Sequence, residues 1–358
     1  MNRNKKLAGI IVWLGIFLSN TGGVFAQSFE VNIMTGGATG TYIQIGKDIA
    51  ALAEQAGRDN VNVMQSAGSM ENMSSVLLER YHQFGIVQSD VLDFIRTFRA
   101  EDAEMRSMIR NTRYVYPLYK EEVHIVARKS SGIGTLTDLN GKIVATGGEN
   151  SGTSLTSAFL FDVGNIRPSR TVSASAADSL EQLRAGSIDA FVYVAGSPTK
   201  LLSDTSAGDD LRLVTIPGAI AGDYYVPTTV KAGTYPWMAE DVMTASVRAV
   251  LMTYEFDPNR NTYFKESCDA VTEFSYLIKE NIELLRRDGH PKWNEVDLDA
   301  VPSGWEQASC VKAAFDPQYQ PPERGGVGVF TPTNPDVDCS ALANPISKRL
   351  CLMRQNEG

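Results

Sequence analysis

Short runs of apolar and β-branched residues alternate along the chain with longer stretches in which apolar residues recur every three or four positions. The short runs predict strands over residues 29–34, 61–65 and 84–88. Between them the longer stretches predict two helices, whose apolar faces are Ile45, Ile49 and Leu52 in the first and Met70, Met73, Val76, Leu77 and Tyr81 in the second. Such alternation with short connections is typical of a parallel sheet built from right-handed crossovers.

A second unit of the same kind follows, with predicted strands over residues 122–129, 142–146, 170–173, 188–194 and 211–216 and helices over residues 153–161 and 178–185. Ser175 and Asp178 have capping-box spacing at the start of the later helix. Residues 239–252 place apolar residues at helical spacing and predict a long helix. Two α/β units in tandem predict two lobes, and ligands bind at the carboxyl ends of the strands in such folds.

The two ends of the chain differ in character from this alternating region. Residues 2–6 are basic and polar, residues 7–18 are apolar, and Val24 and Ala26 suit a signal peptidase. This layout is typical of a secretory leader, the alternative being an uncleaved membrane anchor. Prolines interrupt every pattern beyond about residue 315. The predicted organisation is therefore a leader at 1–26, a first lobe at 27–121, a second lobe at 122–216, a return to the first lobe at 217–315 and an irregular extension at 316–358.

Charge and cysteine content restrict the class of protein. The chain of 358 residues has 33 basic and 42 acidic residues, and removal of the leader, which holds three basic residues and no acidic one, leaves a net charge of −12. A chain this acidic, without a basic stripe, is not expected to bind nucleic acid. In an exported chain four cysteines indicate two disulfides rather than a zinc site, and we expect nearest-neighbour pairing, Cys268 with Cys310 and Cys339 with Cys351.

The first candidate site is the glycine-rich junction of residues 35–42 (TGGATGTY), between the first strand and the first helix. It offers backbone amides, hydroxyls and a helix N-terminus, which suit an anion or a small polar ligand. Its spacing fits neither a P-loop nor a dinucleotide-binding fingerprint. Taken alone, the junction is explained as well by a tight strand–helix turn as by a ligand site.

Other predicted strand–helix junctions also carry small polar residues, at residues 67–69, 88–90 and 147–154. Each could simply cap a helix, but in a parallel sheet they would lie along one edge, as a polar cleft for a small molecule requires. No metal or cofactor motif occurs, and no nucleophile–base pair is evident. His124, in an apolar strand, is expected to be a hydrogen-bonded core residue. Binding without catalysis is therefore the leading prediction, with an exported enzyme as an alternative.

Six segments in order resemble the TAXI family, the extracytoplasmic solute receptors of one branch of TRAP transporters: residues 35–42, 68–72 (GSMEN), 85–90 (GIVQSD), 151–153 (SGT), 186–190 (GSIDA) and 233–236 (GTYP). The resemblance covers about residues 29–253 and continues more weakly to about residue 315. It implies a two-lobed α/β fold of the type II periplasmic-binding kind. It also implies a monomeric receptor in the periplasm that captures a small carboxylate or amino acid, such as glutamate or 2-oxoglutarate, and delivers it to the TRAP permease membrane subunits.

Carried over position by position, the resemblance implies ligand contacts from Thr35, Gly36, Thr39, Gly40, Thr41, Tyr42, Ser69, Asn72, Gln88, Ser89, Asp90, Ser151, Gly152, Thr153 and Ser154. Many relatives have Arg where this chain has Ser154. Without that bidentate cation the solute could be less anionic than in those relatives. The remaining alternatives are a solute sensor and a surface interaction protein on the same scaffold.

Overall fold

A single mixed sheet runs through both lobes of the molecule. The computed structural model describes residues 29–58, 60–218 and 225–322. Within these residues the strand order is β2-β1-β3-β10-β4-β7-β5-β6, with β8 added to β4 and β9 to β10. The strands are β1 (Val31–Met34), β2 (Val61–Met64), β3 (His82–Gln88), β4 (Thr112–Arg128), β5 (Ile143–Ala145), β6 (Arg170–Val172), β7 (Ala190–Ala195), β8 (Leu211–Leu213), β9 (Val226–Val230) and β10 (Val242–Tyr254).

Helices cover both halves of this sheet. They are α1 (Thr41–Gln55), α2 (Ser69–Leu78), α3 (Val91–Phe98), α4 (Ala103–Asn111), α5 (Gly152–Val163), α6 (Ala176–Arg184), α7 (Lys200–Ser203), α8 (Thr262–Glu280), α9 (Ile282–Asp288) and α10 (Ser309–Ala313). The predicted apolar face of α1 is fully buried. Tyr81, predicted on the face of α2, instead lies beyond the end of that helix, with a positive φ of 68° and an exposed ring.

The two halves repeat the same arrangement. In the first lobe β1 pairs in parallel with β2 and β3, and in the second lobe β5 pairs in parallel with β6 and β7. Each half packs its own apolar clusters, around Ile33, Phe84 and Phe274 in the first lobe and around Val144, Phe159 and Val192 in the second. The two-lobed α/β architecture predicted for the chain is therefore confirmed.

Two long strands connect the lobes. β4 and β10 are antiparallel neighbours, and β4 continues beyond β10 to pair with β7 of the second lobe. The helix predicted over residues 239–252 is therefore wrong, because most of this segment belongs to β10. A strand at the middle of a sheet is buried on both faces, so its apolar residues form an almost continuous run without the period of two that marks an exposed strand.

Several local predictions are also decided by the described residues. Cys268 and Cys310 form a disulfide with an S–S distance of 2.04 Å, as predicted. The Ser175 hydroxyl accepts a hydrogen bond from the backbone nitrogen of Asp178, which confirms the cap of α6. His124 is fully buried and bonded to the Tyr235 hydroxyl at 2.7 Å. The predicted leader, the pair Cys339–Cys351 and most of the Pro-rich extension lie outside the described residues.

Candidate functional site

A cavity of about 450 Å³ lies between the lobes, at the carboxyl ends of the parallel strands. Both lobes and the connecting strand β4 contribute to its wall. The lining residues are Gly36, Gly37, Ala38, Thr39, Gly40, Thr41, Tyr42, Ser66, Ala67, Gly68, Ser69, Gln88, Glu121, Gly147, Gly148, Ser151, Gly152, Thr153, Ser175, Ala176, Ala177, Val192, Tyr193, Val194 and Ala195. Its volume and mixed polar and apolar wall are typical of a small-molecule site.

The glycine-rich junction forms the first-lobe side of this cavity. Gly40 donates its backbone N–H to the carbonyl oxygen of Gly37 at 2.9 Å, which closes a tight turn just before α1. Gly40 is the N-cap residue and has no side chain to accept from the first-turn amides of α1. Those amides and the helix dipole are therefore suited to an electronegative group of a ligand. Thr35 is fully buried outside the lining, and its hydroxyl donates to the carbonyl oxygen of Met64 at 2.6 Å.

The junction before α2 supports the first one from behind. Asn72 is fully buried outside the lining, and its Nδ2 donates to the carbonyl oxygens of Thr35 and Ile86 at 2.5 and 2.6 Å. The Ser66 hydroxyl, which does line the cavity, donates to Asn72 Oδ1 at 2.5 Å. Asn72 thus joins the carboxyl ends of β1 and β3 to α2, and in this structure it positions the wall rather than forming it.

The residues at the end of β3 have two different surroundings: one lines the cavity, and another forms a contact between the lobes. Gln88 lines the cavity, whereas Ser89 and Asp90 do not. Asp90 Oδ2 accepts hydrogen bonds from the hydroxyl of Thr156 on α5 and from that of Tyr225, both at 3.0 Å. Burial raises the pKa of the Asp90 carboxyl to about 6, and these two hydrogen bonds act against that rise. Asp90 therefore joins the first lobe to the second.

The second-lobe junction also joins a strand to a helix at the cavity wall, but its helix has a side-chain cap. Ser151 caps α5, since its hydroxyl accepts from the backbone nitrogen of Ser154 at 3.1 Å. Ser154 lies outside the lining, and its own hydroxyl donates back to the carbonyl oxygen of Ser151 at 2.8 Å. The Thr153 hydroxyl accepts from the backbone nitrogen of Val194 at 3.1 Å, so α5 is fixed to the end of β7. Ser151, Gly152 and Thr153 all line the cavity.

The two lobes are in direct contact beside the cavity. The backbone nitrogen of Met70 in α2 donates to the carbonyl oxygen of Asn150 at 3.1 Å. Gly152 approaches the first lobe so closely that a β-carbon there would lie 2.0 Å from Gln88 Oε1 and 2.6 Å from Ser69 Oγ. A larger residue fits at this position only if the side chains of Gln88 and Ser69 shift or the lobes move apart.

Glu121 is a lining residue that the sequence interpretation did not select. It lies on β4, and its carboxyl is only 3% exposed. Tyr42 donates its hydroxyl to Glu121 Oε2 at 2.7 Å. Burial raises the pKa of Glu121 to about 8, although the hydrogen bond from Tyr42 acts in the opposite direction. The signal available in the sequence was the acidic pair at residues 121–122, which interrupts an otherwise apolar strand.

The second-lobe wall was also only partly predicted. Ser175 to Ala177 at the start of α6 and the end of β7 line the cavity, as does Tyr193. Tyr193 is part of a strand that the sequence did predict, but its place beside the cleft depends on how β7 pairs with β4 at the centre of the sheet. Among the described lining residues none is Lys, Arg or His, and Glu121 is the one acidic residue.

Comparisons with solved structures give distant similarities. Solved structures similar to this chain include the alkanesulfonate-binding protein SsuA from Xanthomonas axonopodis pv. citri bound to MOPS, at 11% identity and a TM-score of 0.44 over 76% of this chain and 86% of that one. Another is the periplasmic aliphatic sulphonate binding protein SsuA from Escherichia coli, at 12% identity and a TM-score of 0.41 over 77% and 82%. At these values neither likeness indicates a shared ligand.

In the described part of the chain no helix is both long and apolar enough to cross a membrane. A family model described as "NMT1-like family" matches residues 33–264. The match includes the glycine-rich junction, both connecting strands and every lining residue of the cavity. The chain therefore belongs to the NMT1-like family.

Proposed function

We propose that this protein is an extracytoplasmic solute receptor of the TAXI type, which binds a small polar solute between its lobes and delivers it to a TRAP permease. The observation that carries the proposal is the cavity, because its wall is built from the polar strand–helix junctions of both lobes. A solute seated there would contact both lobes at once. It would therefore stabilise the arrangement in which they touch, as a receptor that signals occupancy by closing requires.

The contacts between the lobes suit such a closing movement. They include the hydrogen bonds to Asp90 and from Met70 to Asn150, the close approach at Gly152, and apolar packing of α3 against α5, where the rings of Phe98 and Phe159 lie 5.6 Å apart. Individual hydrogen bonds of this kind contribute about 1 kcal/mol each. A solute that contacts both lobes would favour the form in which these contacts are made, by its difference in affinity for the open and closed forms.

The chemistry of the cavity favours binding over catalysis. Its described lining holds hydroxyls, backbone groups and one carboxyl, Glu121, whose hydrogen-bond donor is the Tyr42 hydroxyl rather than a serine or threonine nucleophile. The Thr153 hydroxyl is engaged with the backbone of β7, which suits a positioning function. The predicted leader and the disulfide Cys268–Cys310 support a location outside the cytoplasm, in the periplasm.

The proposal is tested by thermal unfolding of the chain from residue 27 onward, with its disulfides intact. The Tm is measured with and without each member of a panel of carboxylates, amino acids, amines and sulfonates. The protein is unfolded and refolded first, so that any ligand carried through purification is removed. A ligand at about 100 times its Kd adds roughly 2.7 kcal/mol to the free energy of unfolding, which shifts the Tm by several degrees.

The double variant Thr39→Ala, Thr153→Ala tests whether the ligand binds in the cavity, since it changes one lining residue in each lobe. We expect this variant to fold and to lose the ligand-induced shift. If no member of the panel moves the Tm of the unmodified chain, the receptor function is contradicted. If the double variant shifts as much as the unmodified chain, the ligand binds elsewhere.

A further inference from the structure

Glu121 lies at the floor of the cleft, where β4 leaves the first lobe and enters the second. Residues 120–122 of β4 pair with residues 246–248 of β10, and Glu122 pairs in addition with Ala195 of β7. The Glu121 carboxyl is held in place by the hydroxyl of Tyr42, which belongs to the first turn of α1. A solute in the cavity therefore has this carboxyl as part of its surroundings, in a fixed orientation.

No basic side chain among the described lining residues balances that carboxyl. Lys292 is the basic residue that acts on Glu121 electrostatically, and it lies outside the lining. Its ammonium group is already paired, with Glu295 Oε1 at 2.7 Å and Glu122 Oε2 at 3.4 Å. The one acidic side chain of the described lining therefore has no cation beside it in the wall, and an anionic solute could bind only while Glu121 stays protonated.

We propose that Glu121 is the specificity-determining residue of the cavity and that the solute presents a protonated amine to it and carries no net negative charge. This inference rests on the proposed receptor function and narrows its solute class to amines and to amino acids without an extra carboxylate. Glutamate and 2-oxoglutarate, which the family resemblance implies, are disfavoured. An electronegative group at the other end of the solute would be placed at the first turn of α1.

Electrostatics inside a cavity explain the preference. Like charges a few ångströms apart in a partly dry site repel much more strongly than in water, and opposite charges attract more strongly. Burial raises the pKa of Glu121 to about 8, so in the empty cavity the carboxyl is protonated at neutral pH. A bound ammonium group stabilises the ionised form, and amine binding therefore releases a proton below pH 8.

Other titratable groups face Glu121 from the surrounding elements. Tyr42 on α1 lowers the pKa of Glu121 by its hydrogen bond, Lys292 lowers it by its charge, and Asp90 and Glu122 raise it by theirs. Tyr119 on β4 and Tyr193 on β7 interact with it electrostatically as well. Of these, Asp90 has a pKa of about 6 and is mostly ionised at pH 6.5, so most of the change between pH 6.5 and 8 comes from Glu121.

Calorimetric titration with probes of matched size and different charge tests this inference. The probes are L-glutamine, L-lysine and putrescine on one side and L-glutamate, succinate and 2-oxoglutarate on the other. We expect at least one amine without net negative charge to bind at least tenfold more tightly than every anionic probe. Its affinity should rise about 15-fold from pH 6.5 to 8, as the ionised fraction of Glu121 rises from about 3% to about 50% while an aliphatic amine keeps its proton.

Glu121→Gln should weaken amine binding at least tenfold at pH 8 and remove most of its pH dependence. Glu122→Gln is the matched control, since Glu122 is the neighbouring carboxyl on the same strand but lies outside the lining. Because the charge of Glu122 raises the pKa of Glu121, this variant should keep amine binding and its pH dependence, with the dependence moved to lower pH. The inference is overturned if an anionic probe binds best, above all with an affinity that falls as the pH rises through 8, because a protonated Glu121 would then be donating to that anion. It is also overturned if Glu121→Gln binds the amine as the unmodified chain does. If no probe binds, the inference is overturned. The receptor function itself is contradicted only if, in addition, no compound of the thermal-unfolding panel shifts the Tm.

Discussion

Gly152 and Gln88 meet across the cleft without space for another atom, since a β-carbon on Gly152 would lie 2.0 Å from Gln88 Oε1. Gly152 opens α5 of the second lobe, and Gln88 ends β3 of the first. The absence of a side chain on Gly152 therefore allows the lobes to approach this closely with Gln88 in its present position. A side chain at residue 152 would hinder this contact sterically.

Gly152→Ala should keep the lobes apart and weaken solute binding at least tenfold. The stability of each lobe should change little, because the added methyl group obstructs only the contact between them. Small-angle scattering and ligand titration measure the two effects. Gly148→Ala is the control in the same loop, because a β-carbon there has no neighbour within 4 Å. Equal affinity in the two variants would show that the contact at Gly152 is not needed for binding.

Asp90 should make the protein less stable as the pH rises from about 4 to 6. Its pKa is about 6 in the folded protein and 3.8 ordinarily, so over this window the unfolded chain loses the proton while the folded chain keeps it. The free energy of unfolding then falls by up to about 3 kcal/mol from this group, and the loss is complete above pH 6. In Asp90→Asn this contribution is absent.

Denaturant unfolding at pH 4, 5, 6 and 7 compares the two proteins. The measured quantity is the change in free energy of unfolding between pH 4 and 7, which we expect to be more negative for the unmodified chain than for Asp90→Asn. Because only the change in free energy of unfolding with pH is compared, an effect of the introduced amide that is the same at every pH cancels. Parallel curves would mean that Asp90 is ionised in the folded protein over the whole range.

Tyr42→Phe should raise the pKa of Glu121 above 8, because the hydrogen bond from Tyr42 stabilises the ionised carboxyl. Amine affinity at pH 7 should fall several-fold, and the pH at which affinity levels off should move upward. Thermal unfolding serves as the check that the buried aromatic ring still packs. An unchanged pH profile would show that Tyr42 does not control the ionisation of Glu121.

The disulfide Cys268–Cys310 should contribute about 2–4 kcal/mol to the free energy of unfolding. It closes a loop between residues 42 positions apart and ties α8 to α10. In the chain-entropy treatment a loop of this size restricts the unfolded chain by roughly this amount. Denaturant unfolding of Cys268→Ala, Cys310→Ala measures the loss, and an unchanged midpoint would contradict it.

Local patterns in the sequence were sufficient to predict the parallel strands and the helices that connect them. The junctions at residues 35–42 and 147–154 were found because glycine and hydroxyl residues between a strand and a helix have a local meaning. Of the predicted contacts, Gly36, Thr39, Gly40, Thr41, Tyr42, Ser69, Gln88, Ser151, Gly152 and Thr153 line the cavity. Thr35, Asn72, Ser89, Asp90 and Ser154 lie behind or beside the wall, and their contact with a solute stays a prediction.

Long-range pairing explains what the sequence interpretation missed. β10 was predicted as a helix because a strand buried on both faces carries no period of two. Glu121 could not be placed in the cleft without knowing that β4 runs between β10 and β7 at that point. Which side of a central strand faces a cavity depends on register and on the neighbouring strands, and both are set by residues more than 70 positions away along the chain.

The position of β10 between β3 and β4 also has a consequence for the order of folding. These two strands are close in sequence, but the strand that joins them in the sheet begins only at residue 242. Until then, the edges of β3 and β4 that face each other have no partner, and the first lobe lacks the centre of its sheet. Pairings this distant along the chain form slowly. A chain still missing β10 should thus remain incompletely folded, as the export proposed for this protein would require.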